Sequence, residues 1–287
     1  MALTINSNLA ALAIRGNMDK ATSALSKSFE RLSSGLRVNR SADDPGGLAM
    51  ASKFTAQLRG ANQAIRNAND GVSMLQVADG ALEETDSALQ SLRELMVQMA
   101  TSTLTSSDRS DIWTEVVELV SEIDRLSQET EYNDQVLLYN AAGNSFTGGI
   151  QVGADANTTI GIDIKVADAS SIGAGVSTVT ASDIENTWGA TSAISHANGM
   201  LDNFDNAISS VSDIRATIGG LQSRLDHAIN SLGSYSEGME SSYSNIMDVD
   251  VADETTSLAK NAILQQAGAA VLAQANLQPQ IVLSLLR

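Results

Sequence analysis

The chain has 287 residues, no cysteine, two histidines, two prolines and only 3% aromatic residues, which excludes a disulfide framework and thiol chemistry and favours long helices over a compact sandwich or barrel. The formal charge of −17 opposes binding to nucleic acid. No apolar run approaches the roughly 18 residues of a membrane span, and the N-terminus lacks the apolar centre of a secretory signal.

Residues 1–36 carry a first helical seam. Ala11, Ile14, Met18, Thr22, Leu25, Phe29, Leu32 and Leu36 recur at steps of three and four with one break in phase. The turn signal Ser41–Gly47 follows, with Asp43 or Asp44 suited to cap a helix that begins at Pro45. From Phe54 to Met99 the apolar residues again alternate four and three, with one phase slip at Leu75, so a rod of about 80 Å is expected for roughly 55 residues at about 1.5 Å each. Ser102–Ser107 breaks it. A third helix is expected over about 108–129, with Ile112, Val116, Leu119, Ile123 and Leu126 inward and Asp108, Arg109, Asp111, Glu115, Glu118 and Glu122 facing water or a neighbour.

Between about 131 and 170 the period becomes two: Ile150 and Val152, then Ile160, Ile162, Ile164 and Val166, flank the turn 153–157, the pattern of a β-hairpin. Residues 167–191, rich in Ala, Ser, Thr and Gly, read as an exposed connector. The helical period returns from Ile194 to Tyr235 with a slip at Val211. Glycine and charge loosen it over 236–250, where a hinge is expected. The last stretch, Asn261–Arg287, is apolar on nearly every face and has no charge before its final arginine. One stripe contains Ile263, Ala267, Ala270, Gln274, Leu277 and Ile281, and the adjoining one Leu264, Gly268, Val271, Ala275, Val282 and Leu285. Its small residues permit close helix approach, and its glutamines argue against lipid as the surroundings.

The expected fold is mainly α: a long antiparallel helical bundle or coiled coil with a small β-hairpin region. A terminal coiled-coil domain would comprise residues 1–44 plus 237–287, its seam formed by Ile14, Met18, Leu25, Phe29 and Leu32 against Ile263, Ala267, Val271, Leu277, Ile281 and Leu285. A helical rod domain would span 45–236. Charge is unevenly placed as well. Residues 1–66 hold nine basic and four acidic side chains, a net of +5 that leaves −22 for the remainder, and 237–254 holds six carboxylates with no Lys or Arg. Arg31, Arg37 and Arg40 are therefore expected to meet carboxylates such as Asp250 and Asp253, in the same or an adjacent copy.

Catalytic signals are weak. Ser223, Asp226 and His227 lie close in sequence, but neighbours on one helix do not make a nucleophilic triad. Asp248-Val-Asp250-Val-Ala-Asp253 fails as a calcium loop, because its sixth position is not glycine and its twelfth is Ala259. Zinc is equally unsupported. No catalytic residue, metal or cofactor is expected.

The opening MALTINSNLAAL, the segment RLSSGLRVNRSADDPGGLAMASKF at 31–54, the run LQSLRELMVQMA at 89–100 and the tail NAILQQAGAAVLAQANLQPQIVLSLLR together resemble bacterial flagellin, over about the first 140 and the last 90 residues, with the middle resembling only the short inner part of what many flagellins carry. The resemblance implies a secreted structural subunit that polymerises into the filament for motility, with a thin filament lacking projecting outer domains. It implies as partners other copies of the chain, the flagellar type III export apparatus, an export chaperone, and the filament cap and junction proteins. It also implies an innate Toll-like receptor contact at Arg93, Leu95 and Glu115, although Ser91 stands where strongly sensed members have arginine. The alternatives are a hook-filament junction or minor filament protein, distinguishable by abundance in sheared filaments, and a secreted helical binding module, which would stay monomeric.

Overall fold

A computed structural model describes residues 8–139, 146–174 and 190–285. Its described helices are α1 (Leu9–Ser34), α2 (Pro45–Met99), α3 (Ser106–Glu129), α4 (Ala190–Met247) and α5 (Val251–Leu285). Two small antiparallel sheets lie between α3 and α4: β1 (Glu131–Tyr132) with β2 (Gln135–Val136), and β3 (Phe146–Gln151) with β4 (Thr159–Ile164). The chain divides into two units, one of residues 1–58 and 237–287, the other of residues 59–236.

The larger unit holds the main core. The expected seam of α2 is buried from Ala68 onward, at Leu75, Ala78, Leu82, Thr85, Leu89, Leu92, Met96 and Met99. On α4, Ala197, Phe204, Val211, Ile214, Ile218, Leu221 and Leu225 are buried likewise. These two stretches run antiparallel: Arg93 Nε donates to Asp205 at 2.6 Å and Arg215 Nε to Asp79 at 2.9 Å. The phase slips at Leu75 and Val211 therefore do not face each other, since the level of Val211 falls between Asp79 and Arg93.

Helix α3 starts at a capping box. Thr105 Oγ1 accepts from the Asp108 amide, and the Asp108 carboxylate accepts from the Thr105 amide. Its buried face is Arg109, Trp113, Val116, Ile123 and Ser127, rotated from the expected seam, with Ile112, Leu119 and Leu126 left at the margin. The water-facing role expected of Arg109 is thus corrected. Its side chain is 2% exposed, and it donates to the carbonyl oxygens of Met99 at 3.3 Å and Thr101 at 2.7 Å. Those oxygens belong to the frayed end of α2, and a guanidinium supplies the donors that the helix itself lacks there.

The β3–β4 hairpin has the expected alternation: Ile160, Ile162 and Ile164 are buried and their neighbours exposed. It sits against α2 where that helix has no side chain. A Cβ on Gly71 would lie 2.0 Å from Ile150 Cδ1, one on Gly60 would lie 2.8 Å from the Ala154 Cβ, and Asn67 Nδ2 donates to the Gln151 carbonyl at 3.3 Å.

The connector expected to be exposed over 167–191 is corrected in its first part. Ala167, Ala169, Ile172 and Ala174 are buried in the main core, the Ala167 amide donates to Leu138 O at 2.9 Å, and the Ala169 amide to Asp124 Oδ1 at 2.9 Å. Small side chains let this segment tuck beneath α3. Residues 175–189 lie outside the described residues. The hinge expected over 236–250 is also narrower: α4 stays helical to Met247, and only Asp248–Asp250 interrupt the path to α5. Tyr243, Ile246 and Met247 pack with Leu36, Val38, Leu48 and Ala51 in a second small core, which holds those last turns helical despite the polar sequence before them.

Candidate assembly surfaces

The smaller unit is built on α1 and α5, which run antiparallel. Asn8 caps α1 through Oδ1 to the Ala11 amide and donates through Nδ2 to Ala275 O at 2.9 Å. Thr22 Oγ1 accepts from Gln265 Nε2 at 3.2 Å, and Arg31 donates to Glu254 at 3.3 Å. Between these ties the helices approach through small residues: Ala21 and Ala275 are buried, and a Cβ on Gly268 would stand 3.8 Å from the Met18 side chain.

This close seam selects a different face of α5 from the one richest in apolar carbon. Asn261, Gln265, Gly268, Leu272 and Ala275 turn toward α1, whereas Ile263 is 64% exposed, Val271 53% and Leu277 52%, with Ala267 also exposed. The side chains of Ile281 and Leu285 lie outside the described residues. On α1, Ile14, Met18, Leu25 and Leu32 are half-buried, while Phe29 is 56% exposed and Leu12 66%. A cleft of about 580 Å³ opens beside the seam, lined by Ile14, Met18, Ala21, Leu264, Ala267 and Val271 among others. The pair thus leaves large apolar side chains uncovered on both helices, more than a lone soluble helix pair retains without a partner.

The charged candidates separate on inspection. Arg31 is the one of the three arginines that pairs with a carboxylate of the acidic stretch among the described residues, through its half-buried contact with Glu254. Arg40 donates to Glu30 at 2.8 Å, ten residues back on α1. Arg37 donates instead to the carbonyl oxygens of Ile246 at 2.7 Å and Asn245 at 3.2 Å, at the end of α4. Asp250 Oδ1 accepts from the Ala252 and Asp253 amides, so it caps α5, and Asp253 lies in that first turn, where a carboxylate favours the helix dipole. Lys27 pairs with Asp43 at 2.6 Å, and this contact holds the Asp43 carboxyl below its usual range.

On the other unit, Arg93 is paired with Asp205, which raises its already high pKa; Leu95 is half-buried against the main core and Glu115 is exposed. Among the described residues no group of three His, Asp or Glu could hold a metal ion, and no helix is long and apolar enough to cross a membrane.

Two family descriptions cover most of the chain: the bacterial flagellin N-terminal helical region matches residues 5–142, and the bacterial flagellin C-terminal helical region matches residues 201–286. The chain belongs to the bacterial flagellin family. Flagellin from Halalkalibacterium halodurans is 41% identical over 285 residues, covering 99% of this chain and all of that relative. Flagellin from Bacillus subtilis is 40% identical over 304 residues, again covering 99% of this chain and all of the relative. Among solved structures, a crystal structure of Bacillus cereus flagellin is 28% identical, covers 58% of this chain and 88% of that one, and has a TM-score of 0.48. This flagellin is a structural subunit of the flagellar filament.

Sequence reasoning missed Gly60, Gly71, Arg109 and the capping role of Arg37. For the first two the available signal was a glycine inside a long helix, one position before the seam residues Ala61 and Val72. For Arg109 it was a lone basic residue in the first turns of an acidic helix, four positions after the cap Thr105.

Proposed function

We propose that copies of this flagellin join chiefly through the apolar surface that α1 and α5 leave uncovered. What carries the reading is the division of labour on α5. Asn261, Gln265, Gly268, Leu272 and Ala275 face α1, and four large side chains, Ile263, Leu264, Val271 and Leu277, remain exposed. Residues Ile14, Met18, Leu25, Phe29 and Leu32 on α1, with Ala267 and the tail positions Ile281 and Leu285, belong to the same assembly set. Burying four such side chains contributes about 1.5–3 kcal/mol each, and a helical polymer repeats the gain at every subunit.

In this reading the terminal domain of residues 1–44 plus 237–287 forms the filament core, and residues 45–236 make up the helical rod domain. The chain acts without catalysis. It travels through the flagellar export apparatus, shielded beforehand by an export chaperone, and takes its place outside the cell between junction and cap proteins. The outer surface is α3 and the β3–β4 hairpin. Innate-receptor contact through Arg93, Leu95 and Glu115 requires release of Arg93 from Asp205, so filament or receptor must compete with that ion pair. Removing residues 261–287 should leave α2, α3 and α4 folded by circular dichroism and abolish filament growth under the electron microscope. Filaments of normal stability from that truncation would refute the proposal.

A further inference from the structure

The junction between α4 and α5, Ser244-Asn-Ile-Met-Asp-Val-Asp-Val-Ala-Asp253, contains neither glycine nor proline, so no residue within it forbids a continuous helix. The last i to i−4 bond of α4 is from the Asp248 amide to Ser244 O, at 2.9 Å. The next three carbonyls would, in an unbroken helix, accept from the amides of Val249, Asp250 and Val251. All three are instead occupied by one residue from the other end of the chain. Arg37 Nη2 donates to Asn245 O at 3.2 Å and Ile246 O at 2.7 Å, and the Arg37 amide donates to Met247 O at 2.6 Å. The displaced Val249 amide donates to Gly35 O at 3.0 Å, completing a short antiparallel ribbon around Leu36 and Asp248. On the far side Asp250 caps the new helix, accepting from Ala252 and Asp253.

We propose that Asp248–Asp250 is a two-position joint, helical and straight when Arg37 is absent and broken when Arg37 takes the three carbonyls, and that Arg37 is the positioning residue that sets it. In a straight joint those carbonyls would accept from the Val249, Asp250 and Val251 amides, whereas in the broken one Arg37 serves them and the Val249 amide turns to Gly35. The broken one adds charge-assisted donors at a helix C-terminus, where a cation is favoured. Glycine at position 35 belongs to the same device: its φ of 72° turns the chain out of α1 so that its carbonyl meets Val249. The functional reach follows from register. With the joint broken, Glu254 lies opposite Arg31 and Gly268 opposite Met18. A straight joint carries α5 away from that alignment, so Arg37 controls whether α1 and α5 form the assembly surface at all.

The test is backbone ¹³C chemical shifts of residues 244–256 in the isotope-labelled full chain, with Arg37→Ala, Arg37→Lys and Asp250→Ala as variants. Arg37 is exposed, so its replacement leaves both cores intact. The parent should give non-helical shifts at 248–250. Arg37→Ala should give helical shifts there, with the broken form depopulated about tenfold or more, as expected from losing two hydrogen bonds to a charged group. Arg37→Lys should fall between. Asp250→Ala, which weakens only the broken form, should move the same way, and polymerisation should fall in the same order across the variants. Non-helical shifts at 248–250 in Arg37→Ala, whether α5 is retained or melted, would overturn the inference. So would a response to Asp250→Ala with none to Arg37→Ala, and either result would leave the assembly reading standing.

Discussion

The sharpest test of the packing concerns two glycines of α2 that differ only in what lies over them. A Cβ at position 80 would meet nothing within 4 Å, whereas one at position 71 would fall 2.0 Å from Ile150 Cδ1 and 3.4 Å from both Ile150 Cγ1 and Leu225 Cδ1. Alanine gains about 0.5–1 kcal/mol over glycine in a helix interior, so Gly80→Ala should stabilise by that amount. Gly71→Ala receives the same gain but must displace the end of Ile150, and overpacking costs about 1–3 kcal/mol. Ile150 is half-buried and can swing, which keeps the cost to about 2 kcal/mol, and the net loss should be about 1 kcal/mol. The two variants should therefore separate by about 4–8 °C in thermal midpoint, at about 2–4 °C per kcal/mol for a domain of this size. Ile150→Val removes the offending methyl. Alone it should cost about 0.5–1.5 kcal/mol, but in the Gly71→Ala background it should cost nothing or restore stability. Circular dichroism melts of the four chains close the cycle. Gly71→Ala as stable as Gly80→Ala, or no coupling with Ile150→Val, would show that the hairpin does not rest on α2 at this point.

Arg109→Ala should destabilise the larger unit by about 2–4 kcal/mol, since it strips two carbonyls of charged donors in a buried place, and urea midpoints would register it. Arg31→Glu should impair assembly and Glu254→Arg should restore it at low salt, because that pair spans α1 and α5; a swap that rescues nothing would remove the pair from the seam. The capping box of α3 predicts an acid effect: hydrogen bonds from the Thr105 backbone and side chain hold Asp108 below its ordinary 3.8, so its stabilisation is complete above that value and is lost as pH falls through the depressed one. Amide protection factors at residues 108–109, taken against intrinsic exchange rates at each pH, should fall only in that acid range, and Thr105→Ala should lower them at neutral pH.

Much of the larger unit was legible because its helices bury one stripe and expose the other, so Leu82, Leu89, Leu92, Val211, Ile218 and Leu225 declare the inward face. The ends resisted the same logic. On α5 nearly every face is apolar, so hydrophobicity cannot fix its phase, and the contact with α1 selects residues for smallness and amide bonding: Asn261, Gln265, Gly268, Ala275. Arg109 and Arg37 escaped for a related reason. Each serves carbonyl oxygens whose need for donors arises only after another helix has ended nearby, a circumstance that no window around the arginine contains.

The ion pairs that close α2 onto α4 join residues 112 and 136 positions apart, and the Arg31–Glu254 pair joins residues 223 apart. The turn secured by Arg109 spans only ten. Closing a longer loop costs more chain entropy before any contact repays it, so order should arrive in sequence: the α2–α3 corner, then the bundle with α4, then the pairing of α1 with α5. A chain delivered lengthwise from either end accordingly remains open through most of its passage. The last contact to close is also the one that readies the molecule for its neighbours, which ties completion of the chain to competence for growth.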